Sequence, residues 1–127
     1  MKNKICLSTG DNEIISHLKK YEEGADLIEI RADYIKDFNE GYLSELLCRR
    51  TKPLILTVRK SDEGGFFKGS LEERQRLFIK AIELGVDYID IEFSCGCDLI
   101  SHLVAAKGST KIICSSHNFK NTPPLRE

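Results

Sequence analysis

The chain has no excess charge of one sign, no long apolar run and no paired cysteine spacing. Each lack removes a class of function. Its 19 Lys and Arg against 20 Asp and Glu leave a net charge of −1 at pH 7, so no basic field exists to hold a nucleic-acid backbone. The longest apolar stretches are of strand length, well short of the roughly 20 residues that a membrane-spanning helix needs. The opening residues, MKNKICLSTGDNE, carry neither the apolar core nor the small-residue cleavage site of a secretory signal. A cytoplasmic protein, without nucleic-acid or membrane partners, is the expectation.

The cysteines are Cys6, Cys48, Cys95, Cys97 and Cys114. The close pair Cys95-Gly96-Cys97 has a one-residue gap, unlike zinc-site spacing, and no second pair or histidine set completes four ligands. No metal is therefore expected, and the thiols read as reduced groups in a reducing compartment. Cys6 and Cys114 fall inside apolar runs, where a free cysteine behaves as a small hydrophobe.

What is present, in 127 residues with 41% hydrophobic and 31% charged, is the composition of about one domain. Short β-branched runs alternate with amphipathic segments. Strands are expected at 4–8, 26–31, 53–59, 86–92 and 111–117. Asp11 is placed to cap a first helix, with Ile14, Ile15, Leu18 and Tyr21 on one face and Gly24 at its end. A weaker helix starts near Asn39 with Leu43, Leu46 and Leu47 inward. Ser70-Leu71-Glu72-Glu73 is a capping box opening the clearest helix, which Gly85 stops. A short helix from Asp98 to about Ala106 turns Leu99, Ile100, Leu103 and Val104 inward.

The order β-α-β-α-β-α-β-α-β demands parallel strands, because only crossover connections join parallel neighbours. The turn after the first strand, STGDNE, lacks the G-x-G-x-x-G dinucleotide fingerprint. Strand parity favours a (β/α)8 barrel over a doubly wound sheet. Glu29 and Arg31 share a face, as do Thr57 and Arg59, Tyr88, Asp90 and Glu92, and Ser115 and His117. Each polar set gathers at the C-terminal end of its strand, where barrel active sites are built.

Glu29 and Arg31 read equally well as an internal ion pair or as a pair recognising the hydroxyls or carboxylate of a small polar ligand. Arg59 ends a strongly apolar strand, so its guanidinium needs an acidic partner or an anionic ligand. His117 is the sharpest candidate, since an imidazole carries protons near neutral pH and a carboxylate beside it sets its tautomer. His17 and His102 lie in helices and read as structural or exposed. Ser115, Ser116 and His117 are sequence neighbours, which is poor support for a nucleophilic triad.

The segments DLIEIRADYI, LTVRKSDEGGFFKGS, GVDYIDIE and CSSHNFKNTP, in this order, together resemble the type I 3-dehydroquinate dehydratases of the shikimate pathway. The likeness is strongest to the version fused to shikimate dehydrogenase in plants and some bacteria. It implies a cofactor-free (β/α)8 barrel that converts 3-dehydroquinate to 3-dehydroshikimate and water through a lysine Schiff base. By the same resemblance His117 is the general acid/base and Glu63 the carboxylate that orients it. Glu29, Arg31, Arg59 and Ser8 are implied substrate contacts, with Ser8 the weakest match.

The family's imine-forming lysine lies on the strand after the histidine, so residues 1–127 are expected to be the N-terminal part of an incomplete barrel domain, five strands and four helices, truncated at the C-terminus. Lys111 and Lys120 do not fit the lysine's place. The open barrel edges call for a cover: a C-terminal continuation, a shikimate dehydrogenase domain or self-association. The alternatives are one chain of a split barrel, or a vestigial or ligand-binding half-barrel without activity.

Overall fold

The computed structural model describes residues 2–122 and 124. Five strands form one sheet in the order β1-β2-β3-β4-β5, every pair parallel. They are β1 (Cys6–Thr9), β2 (Leu27–Arg31), β3 (Leu54–Thr57), β4 (Tyr88–Glu92) and β5 (Lys111–Ser115). The connecting helices are α1 (Ile14–Glu23), α2 (Glu40–Arg49), α3 (Leu71–Glu83) and α4 (Cys97–Ala106). Sequential strand order is the winding of a barrel wall. A doubly wound sheet instead reverses direction in its middle.

Local chemistry accounts for the helix ends. The Asn39 side chain accepts from the Tyr42 N–H at 3.0 Å and caps α2. Ser70 and Glu73 form the reciprocal capping box of α3. At α1 the expectation shifts by two residues: the N-cap is Glu13, and the Asp11 carboxylate accepts from the Glu13 N–H at 2.8 Å. Asp11 also receives His17 Nδ1 at 2.7 Å and the Tyr21 hydroxyl at 3.2 Å. The hydrogen bond with His17 holds its carboxyl below the usual range, with the Glu13 N–H adding to the effect.

One face of the sheet carries Ile28, Ile30, Leu54, Leu56, Ile89 and Ile91, with Ile28 opposite Leu54, Ile30 opposite Leu56 and Leu56 opposite Ile89. All are buried against Ile14, Leu18, Leu43, Leu46, Phe78, Ala81, Leu99 and Leu103 of the helices. Each fully buried side chain of this kind is worth about 1.5–3 kcal/mol, so this layer fixes the register that positions the opposite face. Two expectations fail at the edges. Cys6 and Cys114 are exposed, because β1 and β5 are the outer strands and, among the described residues, no further strand covers them. Val104 is 48% exposed and turns away from the core.

Candidate active site

The polar face forms at the strand C-termini. Glu29 accepts from the Thr57 hydroxyl at 2.6 Å. Arg59 Nη2 donates to Asp90 Oδ1 at 3.2 Å, and the Ser115 hydroxyl donates to the same oxygen at 2.6 Å. Ser8 pairs in register with Glu29 on this face and is exposed. Glu29 and Arg31 do not form an ion pair with each other. Arg31 forks onto Asp33 through Nε at 3.0 Å and Nη2 at 2.7 Å, with its guanidinium 4.6 Å from the Tyr34 ring centre. The Asp33 hydrogen bonds raise the Arg31 pKa further, so the guanidinium is permanently charged.

Beyond β2, β3 and β4 the chain makes three single 3-10 turns, Ala32–Tyr34, Ser61–Glu63 and Phe93–Cys95. They deliver the groups that complete the site. Asp33, from the first turn, has no exposed side-chain surface. Besides Arg31 it accepts from the Arg59 N–H at 3.3 Å and the Phe66 N–H at 3.1 Å, tying the ends of β2 and β3 to the following loop. Glu63, from the second turn, is buried. Gly64 closes that turn at φ +81°, a left-handed conformation that L side chains rarely adopt. A Cβ on Gly65 would lie 2.1 Å from the Arg59 carbonyl oxygen, so only glycine lets the loop fold back on β3.

Glu63 and His117 meet. The His117 N–H donates to Glu63 Oε1 at 2.9 Å, and His117 Nδ1 stands 3.5 Å from that oxygen. The other carboxylate oxygen accepts from the Ser94 hydroxyl, delivered by the third turn. Burial pushes the Glu63 pKa up, but the hydrogen bonds from Ser94 and from His117 outweigh it and hold the carboxyl below its usual value. His117 Nδ1 and Arg59 Nε are buried without hydrogen-bond partners among the described residues. A cleft of about 610 Å³ opens here, lined by Glu63, Ser94, Ser116, His117, Asn118 and Phe119 among others. An ionised carboxylate beside an imidazole is suited to proton transfer, and a buried guanidinium such as that of Arg59, held by Asp90, to binding an anion.

The structure thus brings Glu63 and His117 into contact and links Arg31 to Arg59 through Asp33. Among the described residues no hydrogen bond or ion pair joins Ser8, Glu29 or Arg31 to His117. Glu92, which parity assigns to the rim, is instead buried and paired with Arg74 of α3. Asp33, Ser94 and Arg74 are the residues that sequence reasoning missed. For Asp33 there was a signal, a carboxylate two residues past an arginine at a strand end. For Ser94 there was none. No group of three or more His, Cys, Asp or Glu side chains that could hold a metal occurs among the described residues.

A singly wound parallel β/α wall with a histidine–carboxylate pair and arginines at its strand C-termini is the class of a barrel enzyme. The chain belongs to the type I 3-dehydroquinase family, whose model matches residues 5–127. It is 40% identical over 119 residues to the chloroplastic bifunctional 3-dehydroquinate dehydratase/shikimate dehydrogenase of Arabidopsis thaliana, covering 92% of this chain and 20% of that protein. It is 35% identical to the 3-dehydroquinate dehydratase of Pyrococcus abyssi, covering 95% of this chain and 54% of the relative. A crystal structure of the type I enzyme from Clostridium difficile, with covalently modified comenic acid, superposes with a TM-score of 0.84 at 29% identity. That match covers 94% of this chain and 53% of the other. The chain spans about half the length of such single-function relatives, and its five strands are part of their (β/α)8 barrel.

Proposed function

We propose that these residues supply the proton-transfer side of a 3-dehydroquinate dehydratase, the enzyme that turns 3-dehydroquinate into 3-dehydroshikimate and water. The observation that carries the reading is the His117–Glu63 contact at the strand C-termini, in a chain of this family. A lysine amine condenses with the substrate ketone to an imine. The protonated imine draws electrons from the adjacent carbon, so His117 can take a proton there. The same imidazole then protonates the departing hydroxyl, which leaves as water. Glu63 fixes the ring, while Arg59, Arg31, Glu29 and Ser8 hold the substrate's carboxylate and hydroxyls.

The imine lysine is proposed to come from a strand outside these residues, so that the 127 residues alone give no turnover. Lys60 is engaged by Asp62 at 3.6 Å and by Ser94 at 3.3 Å. Lys111 begins β5, at the far end of the strand from His117, and lies 5.6 Å from the Tyr88 ring centre. Lys120 sits in the loop beyond His117. The fusion in the Arabidopsis relative's name supports a shikimate dehydrogenase partner in the same polypeptide.

The test is formation of the conjugated enone from 3-dehydroquinate, followed by absorbance. A complete barrel containing these residues is expected to produce it, and the 127-residue chain is not. No product from the complete barrel refutes the reading of the site. Product from the short chain, free of full-length enzyme, refutes the placing of the lysine.

A further inference from the structure

Behind the rim lies an ion pair that the proposed chemistry does not use. Arg74 of α3 and Glu92 at the end of β4 are each 99% buried and paired through Arg74 Nη2. The remaining guanidinium nitrogens are also occupied: Nε donates to the Val58 carbonyl at 2.6 Å and Nη1 contacts Cys95 Sγ at 2.7 Å. The free oxygen of Glu92 accepts from the Lys60 N–H at 3.1 Å. The guanidinium also packs 5.2 Å from the Phe78 ring centre.

Val58 and Lys60 flank Arg59. One half of the pair therefore holds the carbonyl before Arg59 and the other half holds the N–H after it. Beyond Thr57 the strand ladder has ended, so the β4 ladder no longer fixes this backbone. A buried ion pair is poor support for stability, because desolvating both charges offsets much of their attraction. Apolar side chains of similar volume would serve the core as well. What such side chains would not do is hold two peptide groups at once.

We infer that Arg74 and Glu92 are positioning residues that clamp the backbone on either side of Arg59 and so aim its guanidinium into the substrate site. The clamp works together with Asp33, in the turn that follows β2, which accepts from the Arg59 N–H at 3.3 Å. The inference rests on Arg59 being a substrate contact, and the experiment separates the two ideas. In a complete barrel containing these residues, three variants are compared with the parent: Arg59→Ala, Glu92→Leu, and the double change Arg74→Met with Glu92→Leu.

Glu92→Leu alone strands a buried guanidinium and lowers the melting temperature. The double change replaces the pair by apolar volume and recovers the parent melting temperature. It nonetheless keeps a raised KM for 3-dehydroquinate and a kcat/KM about 10–10²-fold down, the cost of a misplaced binding group. Arg59→Ala raises KM at least as much. A double variant with parent stability and parent KM overturns the clamp if Arg59→Ala still raises KM. If Arg59→Ala leaves KM unchanged, Arg59 is not a substrate contact and both ideas fall. A double variant that does not recover stability also overturns the inference, because the pair is then structural.

Discussion

His117 takes its meaning from Glu63. The carboxylate accepts the His117 backbone N–H, lies 3.5 Å from Nδ1 and is itself held by Ser94. Glu63→Gln in a complete barrel is expected to lower kcat by less than deleting the imidazole, since the ring is misaimed and not removed. The same contacts give a pH signature. Glu63 has a folded pKa below its ordinary value, so its contribution to stability is present above the carboxylate range and lost as pH falls through the folded pKa. Urea midpoints of the parent and Glu63→Gln should differ at neutral pH and converge below about pH 4. Midpoints that stay equally far apart across that window would show that Glu63 gains nothing from its partners. His117 was legible from its place at a strand end, and Glu63 from the motif resemblance. Ser94 was not, because an exposed serine in a three-residue turn carries no pattern until the fold brings it to Glu63.

The strands and helices were legible because their chemistry is local. The Ser70 and Glu73 capping box announces α3, and alternation announces the sheet. Ser70→Ala should cost about 1 kcal/mol by denaturant melting, the usual value of an N-cap side chain. An unchanged midpoint would mean that the reciprocal bonds contribute nothing. The 3-10 turns were not legible: Ala32–Tyr34, Ser61–Glu63 and Phe93–Cys95 have no periodicity to read. β3 and β5 end at Thr57 and Ser115, two residues before Arg59 and His117. Arg59 and His117 therefore sit just past the ladder, held by side-chain contacts in place of strand pairing. Gly65→Ala tests this region, since the added methyl meets the Arg59 carbonyl. Overpacking of this kind typically costs about 1–3 kcal/mol, and kcat/KM should fall with it. A variant with parent stability and parent kcat/KM would show that the loop does not press on Arg59.

At the scale of the whole molecule, one face of the wall is packed by helices and the other bears the site. Parity along the strands foretold which face was which. It failed at Glu92 because a buried arginine on α3 competes for that carboxylate, a pairing between distant elements that alternation does not encode. The outer strands failed for a different reason, since burial depends on what lies beside β1 and β5. That makes thiol reactivity a measure of the barrel. In the 127-residue chain Cys6 and Cys114 are exposed and should react readily with iodoacetamide. Cys95 should lag, because it is only partly exposed and its sulfur is engaged by Arg74 and Glu92. In a complete barrel Cys6 and Cys114 should become protected. Equal labelling in both proteins would mean that the outer strands stay uncovered.

The central claim is that His117 moves protons while a lysine elsewhere captures the ketone, and one measurement separates these jobs. A complete barrel carrying His117→Ala is incubated with 3-dehydroquinate, reduced with borohydride and weighed intact. The account predicts a covalent adduct on the protein together with turnover reduced by about 10²–10⁴-fold or more, the usual loss on removing a positioned general base. Turnover near the parent rate would contradict it and make His117 a structural residue.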